Sequence, residues 1–279
     1  MTDPSSATIP LVLSIAGSDS SGGAGIQADL KVITALGGYG MTAVTAITAQ
    51  NTLGVTQIQA IDLEVIEAQI DVVIADMGVD VVKIGMLANP EIVRVVADTL
   101  RRHQVKQIIL DPVLQATSGA SLGGHKTAAA MMAELFPLAS LITPNLAEAS
   151  ILLGRAITQV NEFPLAAQEL MQLGPRAVLI KGGHLPNVPS ELTDYLLWQS
   201  STGLEHREFH HQRINTVNTH GSGCSLAAAI ATYLAFGLSL ETAVAKAIDY
   251  VEAGIIAGQF LNLGTGAGPL WHMQAFYPQ

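Results

Sequence analysis

Residues 11–31 read LVLSIAGSDSSGGAGIQADLK, an apolar run followed by a glycine-rich segment and a second, mixed run. The apolar run Leu11–Ala16 is nearly continuous, which is typical of a parallel strand covered on both faces. The glycines of residues 17–25 would let the backbone approach a ligand at the carboxyl end of that strand, where open α/β sheets bind ligands. The stretch therefore predicts a strand, a binding loop and a helix that carries Asp29. A glycine-rich loop with only a structural role is the alternative.

The same alternation of short apolar runs and longer helical stretches continues along the chain. Further strands are predicted at Val81–Ile84, Gln107–Leu110, Ser140–Ile142 and Ala177–Ile180. Helices are predicted between them, at Leu63–Met77, Glu91–Gln104, Lys126–Leu135 and Phe163–Leu173. This order indicates β-α-β units, and hence an α/β fold in which helices cover both faces of a parallel sheet.

The pattern changes after Gly183. Two antiparallel strands and then two alanine-rich helices are predicted, at Leu192–Trp198, His206–Ile214, Cys224–Ala235 and Leu240–Gln259. No linker, repeat or low-complexity segment divides the sequence. We therefore expect one domain over residues 1–279, with residues 1–8 as a flexible tail.

The composition restricts the partners that are expected. The chain has 279 residues, of which 49% are hydrophobic and 13% charged, and its formal net charge is −10. A protein without a basic stripe is not expected to bind nucleic acid. Residues 1–10 lack the features of a signal peptide, and every apolar run is interrupted before about 18 positions, so no membrane span is expected. Because Cys224 is the one cysteine, no internal disulfide can form, which fits a cytoplasmic location.

A second glycine motif, Asn-Thr-His-Gly-Ser-Gly-Cys-Ser, occupies residues 218–225 just before a predicted helix. A Gly-x-Gly turn that leads into a helix points several backbone N–H groups at one place, at the positive end of the helix dipole. Such a place can stabilise a phosphoryl group during transfer, although a flexible turn is the alternative. Cys224 lies in the first turn, where a thiol can have a lowered pKa and act as a general base. A small buried apolar side chain is its alternative role.

Polar residues also follow several predicted strands. Asp111 follows one strand, Asn145 and Glu148 the next, and Lys181 a third. Carboxylates at this edge of a sheet could hold Mg²⁺, usually through water, although each residue taken alone could be a helix cap or a surface charge. Gln50 is expected in a loop, and its amide presents a donor beside an acceptor, which matches the edge of an aminopyrimidine. A solvated glutamine is the alternative.

Other functions are disfavoured because their motifs are missing. The glycine-rich segment is not the dinucleotide motif Gly-x-Gly-x-x-Gly, and the phosphate-loop motif is missing because no Gly-Lys dipeptide occurs. The histidines lack metal-ligand spacing, so no zinc site is assigned. Residues 119–123 read Gly-Ala-Ser-Leu-Gly, like the nucleophile elbow of the α/β-hydrolases. That elbow follows a strand directly, whereas a polar loop separates these residues from the nearest predicted strand.

Taken in order, these segments resemble the hydroxymethylpyrimidine/phosphomethylpyrimidine kinases of the ribokinase-like superfamily. The resemblance runs almost from end to end, from residues 15–19 to residues 266–269. Its most specific parts are SGGAGIQADLK at 21–31, AQNT at 49–52, KIGML at 83–87, TPNLAE at 143–148, KGGH at 181–184 and NTHGSGC at 218–224. So many ordered matches are far more specific than any one motif.

The resemblance implies a ribokinase-like α/β/α sandwich with a mostly parallel central sheet. It also implies a two-step kinase of thiamine biosynthesis. Such enzymes use ATP and Mg²⁺ to phosphorylate 4-amino-5-hydroxymethyl-2-methylpyrimidine and then its monophosphate. A homodimer is expected from the habit of the family and from the commonness of two-fold assemblies.

Roles for single residues follow from the same resemblance. Cys224 is the implied base, and the turn beside it is the implied anion hole, formed by Gly221, Ser222 and Gly223. The residues implied to line the pyrimidine pocket are Gly17, Asp29, Gln50, Met86 and Val113. Those implied near the nucleotide phosphates are Asn145, Lys181 and Thr219, and those implied near the metal are Asp111 and Glu148.

Two other functions stay open. Pyridoxal also carries a hydroxymethyl group on a nitrogen heterocycle, so a pyridoxal or pyridoxine kinase of the same lineage is one alternative. Gln50 favours the pyrimidine, because an apolar side chain would suit a pyridine ring better. A non-catalytic pyrimidine-binding protein is the other alternative. The intact Gly-Ser-Gly-Cys turn disfavours it, because binding alone would need no base there.

Overall fold

The computed structural model describes residues 9–114, 124–183 and 190–277. Within these ranges nine strands form one sheet. They are β1 (Leu11–Asp19), β2 (Tyr39–Asn51), β3 (Gly54–Ala60), β4 (Val81–Ile84), β5 (Ile108–Leu110), β6 (Leu141–Ile142), β7 (Ala177–Ile180), β8 (Glu191–Gln199) and β9 (Leu204–Gln212). The α-helices are α1 (Gly25–Ala35), α2 (Leu63–Met77), α3 (Pro90–Arg102), α4 (Gly124–Glu134), α5 (Leu146–Leu153), α6 (Phe163–Met171), α7 (Ser222–Ala235) and α8 (Leu240–Gly258). The predicted tail at residues 1–8 and the hydrolase-like motif at residues 119–123 lie outside the described residues.

The predicted strands and helices are confirmed, each with ends within three residues of the observed ones. The sequence reading missed β2, β3 and α5. Strand β2 mixes small Ala and Thr with larger apolar side chains, so its alternation has little contrast, and α5 is short. The loop predicted for Gln50 is wrong, because this residue belongs to β2 and is paired with Val55 of β3.

The sheet order, β3-β2-β1-β4-β5-β6-β7-β8-β9, decides where a ligand can bind. Strands β2, β1, β4, β5, β6 and β7 run parallel, and antiparallel strands extend the sheet at both ends. The chain passes from β1 to β2 on one side and later returns to β4 on the other. Open α/β sheets bind ligands at such a switch point, outside the carboxyl ends of the strands.

Helices cover both faces of the sheet. Helices α1, α7 and α8 bury one apolar face against strand residues such as Val12 and Ile109. Helices α2 to α6 bury theirs against the opposite face, where Leu13 and Ile15 point. Neighbouring residues of β1 therefore enter different cores, as the two-residue period of a strand requires. The predicted α/β/α sandwich with a mostly parallel sheet is confirmed. In the described part of the chain, no helix is long and apolar enough to span a bilayer.

Candidate active site

The two glycine motifs meet at the carboxyl edge of the sheet. Gly221 is the N-cap of α7 and has a φ of 80°, in the left-handed region that favours glycine. A Cβ at this position would overlap the carbonyl oxygen of Gly23 in the loop between β1 and α1. Glycine is therefore required twice over, by its backbone conformation and by the close approach of the two loops. This contact places the start of α7 directly over the glycine-rich loop.

Asp19 and His220 join the same two loops, although the sequence reading gave neither a role. The nearly buried Asp19 carboxylate accepts hydrogen bonds from the backbone of Gly23 and Ala24, from Ser21 and from His220. Burial alone would raise the pKa of Asp19, but these donors outweigh it and hold the pKa at about 2. The only sequence signal was the position of each residue beside a glycine motif.

Cys224 occupies the first turn of α7, as predicted, and is half-buried. The backbone N–H of Gly25 donates a hydrogen bond to its sulfur, and Lys83 lies close enough to favour the thiolate. Burial and the carboxylates of Asp29 and Asp111 outweigh these effects and raise the pKa of the thiol to about 11. The lowered pKa expected for this position is therefore wrong, because the helix terminus sits in a desolvated place beside two acidic groups.

The turn implied to form the anion hole uses one of its own N–H groups. The N–H of Ser222 is used within the turn, where it donates to the carbonyl oxygen of Thr219. The N–H groups of Gly223 and Cys224 belong to the first helical turn, where helix geometry supplies no intrahelical acceptor. Lys181 adds positive charge here, since a Cβ on Gly223 would lie 3.2 Å from its Nζ. An anionic group at this place would meet two backbone donors, a helix N-terminus and an ammonium.

Lys181 also joins the start of α7 to the ends of β5 and β6. Its Nζ donates to Oδ1 of Asp111 across 2.8 Å, and the same oxygen accepts from Thr143 across 3.1 Å. Burial would lower the pKa of Lys181, but the carboxylates of Asp111 and Glu148 raise it further, so the lysine stays charged. The strand ends thus bring together the charged residues that the sequence placed at this edge.

Asn145 and Glu148 form a capping box at the start of α5. The Asn145 side chain accepts from the N–H of Glu148 across 2.9 Å, and Glu148 Oε2 accepts from the N–H of Asn145 across 2.8 Å. The Asn-x-x-Glu pattern is therefore a helix cap, and this does not prevent a role in binding. Burial raises the pKa of the Glu148 carboxyl to about 7, against the attraction of Lys181.

The carboxylates of Asp111 and Glu148 fit Mg²⁺ by their chemistry. Both are hard oxygen donors and both are buried, and the charge of Asp111 helps to raise the pKa of Glu148, an effect that a cation would relieve. No group of three or more His, Cys, Asp or Glu side chains within the described ranges is arranged to hold a metal. An ion between these two residues would take its remaining ligands from water and from phosphate oxygens, as Mg²⁺ usually does.

Three of the residues implied for the pyrimidine pocket lie together. Met86 and Ala46 form a small apolar cluster against which Val113 packs. A Cβ on Gly17 would lie only 2.8 Å from the methyl carbon of Met86, so this glycine leaves room for the methionine. The hydroxyl of Thr45 donates to the Met86 carbonyl oxygen and fixes its backbone. These residues form a small apolar cluster near the ends of β1, β2 and β4.

Gln50 stands at the rim of a cavity of about 280 Å³ that is also lined by His220 and the turn between β2 and β3. Its Oε1 accepts from Thr48 across 3.2 Å, and its Nε2 lies 3.3 Å from His220 Nε2. The backbone of Gln50 is also held in place, because its N–H donates a hydrogen bond to the hydroxyl of Ser20. The side-chain amide thus belongs to the lining of the cavity, next to Thr48 and His220.

Asp29, also implied for the pyrimidine pocket, is fully buried in α1, where both carboxylate oxygens bind Lys83 and one also accepts from Ser14. Its contact with the pyrimidine stays a prediction. Lys83 and Ser14 were not predicted, although Lys83 belongs to the KIGML motif.

The family comparison matches most of the chain. The model of the family described as phosphomethylpyrimidine kinase matches residues 19–271. The hydroxymethylpyrimidine/phosphomethylpyrimidine kinase of Rhizobium meliloti (strain 1021) is 47% identical over 268 residues, which cover 96% of this chain and 98% of that protein. The similarity therefore includes both glycine motifs and every strand end described above.

Two solved structures are also similar to this chain over most of its length. The phosphomethylpyrimidine kinase of Clostridium difficile 630 is 38% identical, with a TM-score of 0.77 over 89% of this chain and 100% of that one. The pyridoxal kinase of Bacillus subtilis, solved as an ADP complex, is 35% identical, with a TM-score of 0.85 over 95% of this chain and 98% of that one. A phosphomethylpyrimidine kinase and a pyridoxal kinase thus share this backbone.

Proposed function

Because the chain belongs to the phosphomethylpyrimidine kinase family, we propose that it phosphorylates 4-amino-5-hydroxymethyl-2-methylpyrimidine with ATP. We propose further that it phosphorylates the resulting monophosphate to the diphosphate, as a step of thiamine biosynthesis. One observation carries the proposal: Cys224 and the outward N–H groups of α7 share a site with Lys181 and Asp111. This is a base beside a place built for a phosphoryl group.

In the first reaction, the hydroxyl oxygen of the substrate attacks the γ-phosphorus of ATP, and the bond from that phosphorus to the β,γ-bridging oxygen breaks. ADP leaves with the electron pair of that bond, and the hydroxyl proton passes to the sulfur of Cys224. The N–H groups of Gly223 and Cys224 and the ammonium of Lys181 stabilise the oxygens of the transferring group. In the second reaction, a phosphate oxygen of the monophosphate attacks in the same way.

The acceptor of this proton is the thiolate form of Cys224, since a neutral thiol cannot act as the base. Phosphoryl transfer passes through a loose transition state, and catalysis depends mainly on position and electrostatics. Once the thiolate has formed, its basicity favours taking the proton from an alcohol. The raised pKa of Cys224, about 11, then makes turnover increase as the pH rises above neutral.

Asp111 and Glu148 would hold Mg²⁺, and Asn145 and Thr219 would lie near the phosphates of the nucleotide. When bound, the ion supplies positive charge that screens the polyphosphate from these carboxylates. Lys181 holds Asp111 in place through an ion pair across 2.8 Å. The remaining protein groups orient the nucleotide, and no proton needs to pass through them.

The apolar cluster of Met86, Val113 and Ala46 would pack on the pyrimidine ring, with Gly17 leaving room beside it. Gln50 would hydrogen-bond the aminopyrimidine edge. Pyridoxal is the second candidate substrate, favoured by the similarity to the Bacillus subtilis pyridoxal kinase. That ring lacks the matching amino group, so a polar amide at this position favours the pyrimidine.

The organisation of the protein is proposed on the same basis. A single sheet that includes all strands of the described residues supports one domain. A homodimer is proposed because two-fold assemblies are the commonest. A cytoplasmic location is proposed because the expected substrates, ATP and a small pyrimidine, belong to that compartment.

Release of ADP tests the proposal. Purified protein is incubated with Mg·ATP and, separately, with the hydroxymethylpyrimidine, its monophosphate and pyridoxal. We expect turnover with both pyrimidines and much less with pyridoxal. Turnover with pyridoxal alone would contradict the proposed substrate but not the chemistry. Binding of the pyrimidine without turnover under any condition would instead favour a non-catalytic protein.

A further inference from the structure

A buried aspartate in β8 has no part in the reaction described so far. Asp194 is 5% exposed and lies within a run of five buried residues, 193–197. It shares one face of the sheet with Leu196 and Phe209, which belong to the apolar core under α1, α7 and α8. Carboxylates are rarely buried to this extent unless they are paired, because they lose their hydration. A charged group at this place therefore needs specific partners.

The first partner is the backbone of the segment that follows β7. The N–H of Gly182 donates to Oδ1 of Asp194 across 2.8 Å, and this hydrogen bond is buried. The pairing of β7 with β8 ends at Ile180 and Tyr195, so the Asp194 side chain takes the place of a ladder partner for Gly182. A Cβ on Gly182 would overlap the carbonyl oxygen of Thr193, so the two backbones approach each other closely here.

The second partner is a histidine of β9. Asp194 lies opposite Phe209 in the ladder between β8 and β9, so His211, two residues further on, is a diagonal neighbour on the same face. Nε2 of His211 lies 3.4 Å from Oδ2 of Asp194. The pair with the carboxylate raises the pKa of His211, against the effect of burial. Both oxygens of Asp194 are therefore engaged, which fixes the orientation of the carboxylate towards Gly182.

These contacts hold the backbone on either side of Lys181. The N–H of Lys181 donates to the carbonyl oxygen of Pro144 across 3.0 Å, and the next N–H, that of Gly182, donates to Asp194. The direction of a side chain depends on the backbone that carries it. From this backbone, Nζ of Lys181 reaches Asp111 across 2.8 Å and lies beside the first turn of α7.

We propose that Asp194 is a positioning residue that acts through Lys181: its carboxylate holds the Gly182 N–H and so fixes the backbone that carries the ammonium to the transferring phosphoryl group. The inference rests on the proposed function, in which Lys181 stabilises that group. Asp194 supplies a hydrogen-bond acceptor and moves no proton. An uncharged side chain with an oxygen at the same place should therefore serve as well.

Two substitutions separate the hydrogen bond from the charge. Asp194→Leu removes the acceptor, and we expect kcat to fall roughly ten- to a hundredfold, because a small misplacement of a catalytic group is enough for such a loss. KM for the pyrimidine should change less than about twofold, since the ring is bound by other residues. Asp194→Asn keeps an oxygen that can accept from Gly182, and its kcat should stay within about threefold of the wild-type value.

Circular dichroism checks the fold of each variant. Asp194→Asn decides the question even where Asp194→Leu does not fold, because a folded asparagine variant that loses tenfold or more in kcat would overturn the role of the hydrogen bond.

A double-variant cycle shows whether the effect passes through Lys181. Lys181→Met alone should lower kcat about a hundredfold or more, as expected for the loss of a charge that stabilises the transition state. Adding Asp194→Leu to Lys181→Met should lower kcat by less than about a further twofold, because residues that act through one another are not additive. The same loss from Asp194→Leu in both backgrounds would mean that Asp194 supports the fold and not the lysine, and would overturn the proposal.

Asp80 provides a matched control, because its carboxylate also accepts a backbone N–H, that of Leu11, across 2.8 Å. Leu11 is the first residue of β1 and therefore lies at the opposite edge of the sheet from the site. Asp80→Leu should leave kcat unchanged. A loss equal to that of Asp194→Leu would show that any lost bond of this kind slows the enzyme, and would overturn the specific role of Asp194.

Hydrogen exchange separates this inference from the proposed function, because it needs no turnover. The Gly182 N–H, followed by NMR, should exchange at least about tenfold faster in Asp194→Leu than in Asp194→Asn. Equal exchange in the two variants would overturn the inference, whatever the enzyme phosphorylates. Faster exchange in Asp194→Leu, together with no pyrimidine turnover by the wild type, would overturn the proposed function and leave the hold of Asp194 on this backbone established.

Discussion

Asp19 and His220 are 201 positions apart in the chain, yet Oδ2 of Asp19 lies 2.8 Å from Nε2 of His220. Because an ionised carboxylate only accepts, the imidazole Nε2–H is the donor. The pair connects the loop after β1 to the turn before α7, and its side chains are almost completely buried. The two loops that form the site are thereby held at a fixed distance from each other.

Replacing Asp19→Asn should destabilise the protein in a way that depends on pH. The pKa of Asp19 is about 2 in the folded protein against an ordinary 3.8, so its stabilisation is present above pH 3.8 and is lost as the pH falls towards 2. We expect the variant to lose about 2 kcal/mol of the free energy of unfolding at neutral pH, and less as the pH decreases. Urea unfolding at several pH values measures this difference.

Asp98→Asn is the matched control for this prediction, because Asp98 forms an exposed ion pair with Arg101 within one helix. Exposed pairs contribute little, so its effect should stay below about 0.5 kcal/mol. A loss for Asp19→Asn that is the same at every pH would mean that packing, and not the charge of the carboxylate, holds the two loops.

Replacing Cys224→Ala should reduce kcat far more than it changes KM for the pyrimidine. General base catalysis contributes roughly 10²- to 10⁴-fold, and the pocket residues that bind the ring are untouched. Steady-state ADP release gives both constants. Cys224→Ser keeps the shape but offers no accessible anion, so it should be nearly as slow. Equal kcat for wild type and Cys224→Ala would remove the thiol from the mechanism.

The elements that the sequence predicted well are those with strong local patterns. The buried strands at Val81–Ile84 and Ala177–Ile180 are continuous apolar runs, and the observed strands have the same bounds. Strand β2 was missed because its side chains are small and its alternation is weak. Gln50 was consequently expected in a loop. It was still selected as a candidate, because the donor and acceptor of its amide match an aminopyrimidine edge whether the residue lies in a loop or in a strand.

The charge environment of the site was less predictable, because it arises from contacts between distant segments. Lys83 and Asp29 are 54 positions apart, and a lysine in a strand is ordinarily expected to reach solvent. The position of Cys224 at a helix N-terminus was correct, but its pKa depends on burial and on carboxylates supplied by α1 and by the end of β5. The motif itself contains neither this burial nor these carboxylates, so the motif alone indicated a lowered pKa for the thiol.

Replacing Gln50→Met should change the preference of the enzyme from the pyrimidine towards pyridoxal. The amide oxygen accepts a hydrogen bond from Thr48 in the lining of the cavity, and loss of the amide would leave the aminopyrimidine edge without a partner. A lost hydrogen bond of this kind costs about 1 to 3 kcal/mol, or roughly ten- to a hundredfold in kcat/KM.

The ratio of kcat/KM for the pyrimidine to kcat/KM for pyridoxal is the quantity to measure. Gln57→Met is the control, since Gln57 is exposed on β3 and pairs with Ala49 rather than with Gln50. An unchanged ratio in Gln50→Met would show that substrate choice depends on the apolar cluster around Met86 and not on the amide.

Replacing Glu148→Gln should weaken the binding of Mg²⁺ without disturbing the fold. The glutamine Oε1 can still accept from the N–H of Asn145, so the capping box of α5 is kept. Burial raises the pKa of Glu148 to about 7, so ionised Glu148 is costly and the neutral amide should leave the protein no less stable at neutral pH. Loss of one of two carboxylates should raise the Mg²⁺ concentration for half-maximal turnover about tenfold. Glu169→Gln, at a surface pair with Arg155, should leave it unchanged, and the same Mg²⁺ dependence in Glu148→Gln would exclude this carboxylate as a ligand.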